Sequence, residues 1–475
     1  MPPDPDKPFA GRSLHFVGVG GAGMSGLALV AHSLGARVTG SDRAESPYVE
    51  RLRAAGIQPV IGHDAANYPV GAELVVSTAI PEENPELSAA RTAGATVLHR
   101  GDLLGELSRM KRTIAVSGTH GKTTTASMAA HVLRATGRDP AFLIGGELRS
   151  AGSNAGWGDG EWAVIEADES DRSFLKLDRP VAVVTNVELD HHATYASLGD
   201  LEAAFAEFAA PAELLIRGPG VVLGKEREVR IGLEEAPHEG VGHETSDIET
   251  QRAGPPEEPG RGVLQARSVD LLPGGSRFEV EGAPVALSVP GAHNILNALA
   301  ALAACRAAGV EPAEAAPGLT DFTGAGRRFE AHGRTETGAL VIDDYAHHPT
   351  EVRATLEAAR TLAAHEGGRV VACFQPHLYS RTRLLAREFG QALALADLVA
   401  VLEIYPARED AADFPGVSGL VVARAAADAA GGRPVWWLPE MDDAERMLAA
   451  ELREGDVFLT LGAGDVDALG RRLAR

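Results

Sequence analysis

Cysteine is nearly absent from this chain: Cys305 and Cys373 are the two thiols among 475 residues, far apart and in apolar settings. Their scarcity excludes a disulfide framework and a cysteine-built metal centre, and it fits a reducing cytoplasm. Long hydrophobic runs are also missing. The alanine-rich stretch Leu299 to Ala304 is soon broken by Arg306, and the opening Met1-Pro2-Pro3-Asp4-Pro5-Asp6 has no apolar signal core. With a mean hydropathy of −0.05, neither secretion nor membrane insertion is expected. Positive charge is scarce as well. Lys and Arg number 44 against 66 Asp and Glu, a net −22, and the lysines are only Lys7, Lys111, Lys122, Lys176 and Lys225. Such a surface repels nucleic-acid backbones and anionic membranes, so neither is an expected partner. A phosphorylated ligand would have to be held by local basic groups and by metal.

What remains is an ordinary globular composition, 45% hydrophobic, long enough for about three domains at ~150 residues each. Short apolar runs alternate with helical stretches, which predicts an α/β fold with parallel sheets. Strands are expected at Leu14–Gly18, Arg37–Asp42, Glu73–Ser77 and Thr96–Leu98, then at Thr113–Val116, Trp162–Ile165 and Val181–Val184. A third series follows at Leu340–Ile342, Arg369–Phe374, Leu398–Leu402 and Asp456–Leu461. Boundaries are placed at 1–109, 110–324 and 325–475. The polar stretch Gly232 to Gly262 is expected to be a surface excursion between strands, and His293 to Ala308 a long helix.

Two glycine loops dominate the motif content. Gly18-Val19-Gly20-Gly21-Ala22-Gly23 follows the first strand, and Asp42 closes the next one. Glycines there allow a diphosphate close to the backbone, and the acid suits ribose hydroxyls; NAD and UDP fit equally. The second loop, Gly118-Thr119-His120-Gly121-Lys122-Thr123-Thr124, joins a strand to a helix start. Its amides and Lys122 suit a triphosphate and its Thr123 hydroxyl a Mg²⁺ ion. The eight-residue Walker spacing would want glycine where Val116 stands, leaving the shorter G-T-x-G-K-T form.

Such a loop needs a second acid for the metal, and Glu166 ends a neighbouring apolar strand. Asp168, Glu169 and Asp171 fit a solvated acidic turn equally well. His191, after a second strand-end acid, is a further metal or phosphate candidate. Asn294 and Asn297 stand at i and i+3 on a helix start, where amides can read an adenine edge. Asp344, Tyr345 and His348 follow one late strand, and Arg381 and Arg383 the next, both at a carboxyl edge where α/β proteins place their sites. The two arginines suit carboxylate or phosphate oxygens.

Taken in order, these motifs resemble the Mur ligases of peptidoglycan synthesis over nearly the whole chain. The resembling segments include Ser77-Thr78-Ala79-Ile80, Asp190-His191, Gly326-Arg327-Arg328-Phe329 and Phe374 to Arg383. The resemblance implies a Rossmann-like N-terminal domain that binds the UDP-sugar, a central ATPase-like domain and a Rossmann-like C-terminal domain. It also implies ATP-dependent ligation of an amino acid to the lactyl carboxylate of UDP-N-acetylmuramate through an acyl phosphate, in the cytoplasm, by a monomer or homodimer. By motif, Gly18, Gly20, Gly21, Ala22, Gly23, Met24, Asp42, Ser77 and Thr78 would contact the UDP-sugar. Gly118 to Thr124, Asn294, Asn297, Arg328 and Asp344 would hold ATP, Thr123 and Glu166 one Mg²⁺ (or Mn²⁺), and His191 a second metal position. Tyr345, His348, Arg381 and Arg383 would orient the amino acid or acyl phosphate, with Lys122, Glu166, His191, His348 and Arg381 as the catalytic set. No lysine lies between Lys176 and Lys225, where sister ligases carry a carbamylated one, which points to the L-alanine-adding branch. Ala193 stands where aspartate is common, and Leu378 where many relatives have arginine. Alternatives are a ligase attaching recycled tripeptide to the same nucleotide, a nicotinamide oxidoreductase that leaves the Lys122 loop without work, and an ATP-gated switch.

Overall fold

The computed structural model describes residues 7–192, 194–234 and 261–474. Ala193, the opening hexapeptide and most of the Gly232–Gly262 stretch lie outside them. The chain forms two compact units, Met1–Gln265 with Asn297–Gly318, and Ala266–Leu296 with Leu319–Arg475.

The first unit begins with strands β1 (Ser13–Val17), β2 (Arg37–Asp42), β3 (Val60–Ile61), β4 (Glu73–Val76) and β5 (Val97–His99), alternating with helices α1 (Ala22–Ser33), α2 (Pro47–Ala54), α3 (Pro85–Thr92) and α4 (Arg100–Ser108). All strand pairs are parallel, in the order β3-β2-β1-β4-β5. The order turns back at β1, so the Gly18–Gly23 loop leaves the sheet at its switch point, where open α/β sheets bind ligands.

The same unit continues with β6 (Arg112–Ser117), α5 (Lys122–Ala135), β7 (Ala141–Leu148), β8 (Ser153–Gly156), β9 (Trp162–Glu166), β10 (Val181–Val184), α6 (Leu198–Ala209), β11 (Leu214–Arg217) and β12 (Glu228–Leu233). Their order is β12-β11-β10-β6-β9-β7-β8, with only β8 antiparallel. Ile114, Ala115 and Val116 of β6 are fully buried, as expected of a central parallel strand covered on both faces. Its position between β9 and β10 brings the Gly118 loop, Glu166 and Thr185 to one sheet edge.

After β13 (Arg261–Leu272), the antiparallel β14 (Gly275–Val280) and β15 (Ala283–Leu287) lead to α7 (Ala292–Ala307) and α8 (Pro312–Thr320). The last sheet, in the second unit, contains β16 (Glu330–Arg334), β17 (Leu340–Asp344), β18 (Val370–Phe374), β19 (Leu398–Val401), β20 (Val435–Trp437) and β21 (Val457–Leu461). They run β16-β17-β21-β18-β19-β20, only β16 being antiparallel. Helices α9 (Pro349–Glu366), α10 (Tyr379–Leu393), α11 (Gly419–Ala429), α12 (Met441–Glu451) and α13 (Asp467–Leu473) connect them. The strand expected at Leu340–Ile342 extends through Asp343 and Asp344. Asp343 can lie in a buried strand because Thr460 donates to it at 2.7 Å and Arg327 at 2.9 Å.

One buried polar cluster braces the first sheet beneath its ligand-facing edge. Glu86, fully buried on α3, accepts His15 Nε2 at 2.6 Å, Ser41 Oγ at 2.7 Å and His63 Nδ1 at 2.9 Å. Burial alone would raise its pKa; the bonds from His15, Ser41 and His63 outweigh burial and lower it. A lowered carboxylate stabilises the fold above the unfolded pKa of about 4.3 and loses that contribution as pH falls through the folded value. Glu86→Gln should therefore cost about 2–3 kcal/mol at pH 7 and progressively less below about pH 4. Denaturant unfolding followed across that range checks this; a pH-independent cost contradicts it.

Candidate functional site

Among helices α1 to α6, only α1 and α5 start without a side-chain cap, each behind a glycine, Gly21 or Gly121. Their first-turn N–H groups and positive dipole ends are therefore available to an anion. At Gly118 (φ 126°) a Cβ would lie 2.1 Å from Thr185 Oγ1, and at Gly121 (φ 79°) 2.4 Å from Asn297 Oδ1. The loop is thus glycine-bound both by conformation and by neighbours. It is also fixed from the end of β10. Thr185 Oγ1 donates to His120 O at 2.5 Å, His120 N to Asn186 Oδ1 at 2.8 Å, and Thr119 Oγ1 to Glu188 O at 2.9 Å. Thr125 Oγ1 donates to Asn297 Oδ1 at 3.2 Å, giving this asparagine, unusual inside a helix, a structural partner under the loop.

Lys122 folds over that loop. Its Nζ donates to Gly118 O at 2.7 Å, Thr119 O at 3.1 Å and Glu169 Oε1 at 3.0 Å. Burial works to lower its pKa, but Glu169, Asp168 and Glu166 raise it further and keep the ammonium charged. Glu169 is fully buried, so the run Asp168-Glu169-Ser170-Asp171 is no solvated turn: its middle carboxylate is the counter-ion of the loop lysine. Sequence reasoning gave Glu169 no separate weight, since nothing in an acidic run marks which member turns inward.

Around that carboxylate, His191 Nε2 lies 3.4 Å from Glu169 Oε1 and 3.8 Å from Asp190 Oδ2, on a left-handed backbone (φ 52°). Burial would lower its pKa, but the Glu169 hydrogen bond and the charges of Asp190, Glu169 and Asp168 raise it. Asp168 is held well below the usual carboxylate range because Arg100, Lys122 and His191 outweigh its burial. Thr123 Oγ1 donates to Glu166 Oε1 at 3.0 Å, and Gly145 N to Glu166 Oε2 at 2.6 Å. Two features fit a divalent cation. Asp168, Glu169 and His191 present ligand atoms within 4.8 Å of one another, and buried Glu169 Oε2 makes no hydrogen bond, its partner being the charge of Lys122 Nζ at 3.0 Å. Carboxylate and hydroxyl oxygens with one imidazole suit Mg²⁺ or Mn²⁺.

The first glycine loop is braced by Asp42. Gly20 N donates to its Oδ2 at 2.8 Å and Ala44 N to its Oδ1 at 3.2 Å, so the expected ribose acid also sets the loop's shape. Met24 has its side chain in the core, which leaves only its backbone for a ligand; Ser77 is half-buried after β4 and Thr78 exposed. Between the start of α1 and the acid end of β9 lies a cavity of about 130 Å³, lined by Ala22, Gly23, Arg100, Gly145, Glu166 and Asp168 among others. One ligand molecule resting at Gly23 can thus extend to the metal-suited carboxylates. Arg100, on that wall, belongs to no motif and escaped sequence reasoning.

In the second unit, Asp344 accepts Phe329 N and Ala346 N, each at 2.8 Å, and its burial, opposed by Arg328, raises its pKa to about 6. Arg328 stands 5.2 Å from the Tyr345 ring and 3.8 Å from Glu351. His348 caps α9 through Thr350 N, with Glu351 completing a capping box. Arg381 is buried, with Nη1 3.2 Å from His377 Nδ1, whereas Arg383, two residues on, faces outward over the Phe414 ring at 5.2 Å. Two residues along a helix is about 200°, so this pair is not brought together. Asn294 Nδ2 donates to Pro290 O at 2.7 Å at the start of α7.

Among the described residues, no helix is long and apolar enough to cross a membrane. Residues 13–112 match the model of the Mur ligase family catalytic domain, residues 116–305 the Mur ligase middle domain, and residues 327–464 the Mur ligase glutamate ligase domain. The chain is 45% identical to the UDP-N-acetylmuramate–L-alanine ligase of Streptomyces coelicolor, covering 99% of this chain and 98% of the relative. It is 45% identical to the enzyme of that name from Rubrobacter xylanophilus, covering 97% and 99%. Among solved structures it is similar to the UDP-N-acetylmuramate–alanine ligase of Thermotoga maritima, with TM-score 0.79, 29% identity and 97% and 98% of the two chains covered. A murein peptide ligase from Psychrobacter arcticus shares the fold, with TM-score 0.69, 24% identity and 98% of each chain covered. With near-complete coverage at 45% identity and three consecutive domain matches, the chain belongs to the Mur ligase family.

Proposed function

We propose that this chain joins L-alanine to the lactyl carboxylate of UDP-N-acetylmuramate, consuming ATP and releasing ADP and phosphate, in the cytoplasmic synthesis of peptidoglycan precursors. The observation that carries the reading is the cavity running from the uncapped start of α1 to Glu166 and Asp168, beside the Lys122 loop. A nicotinamide enzyme has no use for that loop. The names of the full-length relatives favour alanine over a recycled peptide as the second substrate.

In this reading the chain works in three parts, 1–109 for the UDP-sugar, 110–324 for ATP and 325–475 for the amino acid. Gly18, Gly20, Gly21, Ala22, Gly23, Met24, Asp42, Ser77 and Thr78 receive the sugar nucleotide, Met24 through its backbone. Gly118 to Thr124 cradle the triphosphate, with Asn294, Asn297, Arg328 and Asp344 serving the nucleotide. Thr123 and Glu166 would hold one Mg²⁺ and His191 a second metal position, and the metal would supply charge neutralisation for phosphoryl transfer. A lactyl carboxylate oxygen attacks the γ-phosphorus and ADP departs, leaving an acyl phosphate. The alanine amine then attacks the acyl carbon and phosphate leaves with the former carboxylate oxygen. His348, Arg381 and Tyr345 orient alanine and the acyl phosphate, and Arg383, which faces outward over Phe414, is left out of that set. Lys122 redirects donors from Gly118, Thr119 and Glu169 to the β- and γ-phosphates. Such chemistry depends on positioning and electrostatics.

Phosphate release from ATP, measured with UDP-N-acetylmuramate and each amino acid in turn, should occur with L-alanine. Release independent of amino acid, or none, would remove the proposal. Lys122→Met should lower kcat/KM at least about 100-fold, and because it leaves Glu169 buried without its counter-ion it should also cost about 3 kcal/mol of stability. Adding Glu169→Gln should restore much of the melting temperature and none of the turnover. Recovery of turnover in the double variant would mean that Lys122 serves only as a structural partner.

A further inference from the structure

Arg100, the first residue of α4, sits on the cavity wall with only part of its donor set in use. Its Nε lies 3.1 Å from Asp171 Oδ2, and its Nη2 lies 2.9 Å from both Asp171 Oδ2 and Asp168 Oδ2. Nη1 is the remaining nitrogen, and among the described residues it has no hydrogen-bond acceptor. A Cβ built on Gly23 would lie 3.5 Å from Nη1, so that nitrogen stands directly against the second residue of α1. The side chain keeps 22% of its exposure, and the cavity is where it opens.

A strut between α4 and the acidic turn would need only the edge formed by Nε and Nη2. A planar guanidinium held rigidly on that edge has its other edge aimed with equal precision. Here that edge faces the α1 start, whose first amides carry no cap. The surrounding charge sharpens the point. Glu166, Asp168 and Asp171 lie on or behind the same wall, so an anion entering between them and α1 needs a fixed cation to face. Arg100 supplies it.

Resting on the function proposed above, we propose that Arg100 is a substrate contact: Nη1 receives a diphosphate oxygen of the sugar nucleotide at the start of α1, while Nε and Nη2 stay on Asp171 and Asp168. The same guanidinium then touches both the sugar nucleotide and the carboxylate beside Glu169, so a nucleotide seated at α1 is registered at the metal-suited cluster. Lysine cannot replace it, since an ammonium has no second edge.

The test is calorimetric binding of UDP-N-acetylmuramate, UDP-N-acetylglucosamine, UMP and ADP to the full-length protein and to Arg100→Gln and Arg100→Lys. Both variants should bind the two UDP-sugars about ten- to a hundredfold more weakly, and by the same factor, while UMP and ADP stay within about threefold. Unchanged UDP-sugar affinity overturns the contact. So does a loss confined to UDP-N-acetylmuramate, which would place the lactyl carboxylate there, and so does an equal loss for UMP and ADP, which would make Arg100 structural. Failure of the unsubstituted protein to bind either UDP-sugar would instead overturn the proposed function itself, and this contact with it.

Discussion

The ion pair between Lys122 and Glu169 is the interaction around which the first unit is organised. It ties the start of α5 to the turn after β9 across 3.0 Å, with Glu169 fully buried. A buried carboxylate without a counter-ion costs several kcal/mol, so the acidic turn and the phosphate loop hold each other in place. Neighbouring groups follow from that pair. His191 is drawn to Glu169, Asp168 is oriented by Arg100 and Lys122, and Glu166 is left facing Thr123. In the proposed function, a ligand phosphate that takes donors from Lys122 would free Glu169 for a cation, coupling triphosphate and metal binding.

This arrangement resolves the conflict between a strongly acidic chain and phosphorylated substrates. The net charge of −22 acts over the surface, where salt screens it within roughly 10 Å. In the proposed function, binding is governed instead by local amides at the uncapped starts of α1 and α5, and by a few cations whose positions are set by buried acids. In the same reading acidic residues do not merely repel the substrates: Glu169, Asp168 and Asp171 hold Lys122 and Arg100, the side chains proposed to receive them.

Much of this was legible in the sequence because it is local. A glycine loop between an apolar run and a helix start reads directly as a phosphate cradle, and both loops follow strands of parallel sheets as their flanking apolar runs predicted. Glu166 was legible as the polar end of an apolar strand. Other features depend on which way a side chain turns once distant segments meet. Glu169 is indistinguishable from Asp168 or Asp171 in sequence, yet it alone is fully buried. Arg100 is 68 residues from Asp168 and carries no motif. Arg381 and Arg383 read as one pair and diverge on α10. Asp42 and Asn297 read as ligand contacts and also hold up the two loops, a double role that spacing cannot express.

The central claim is that the Lys122 loop delivers its phosphoryl group to a carboxylate rather than to water. UDP-N-acetylmuramate carrying ¹⁸O in its lactyl carboxylate, incubated with ATP and L-alanine, tests it by mass analysis of the released phosphate. An acyl-phosphate route transfers one carboxylate oxygen into each phosphate and leaves the other in the amide. Phosphate free of ¹⁸O from the carboxylate, with the amide formed, would contradict the account.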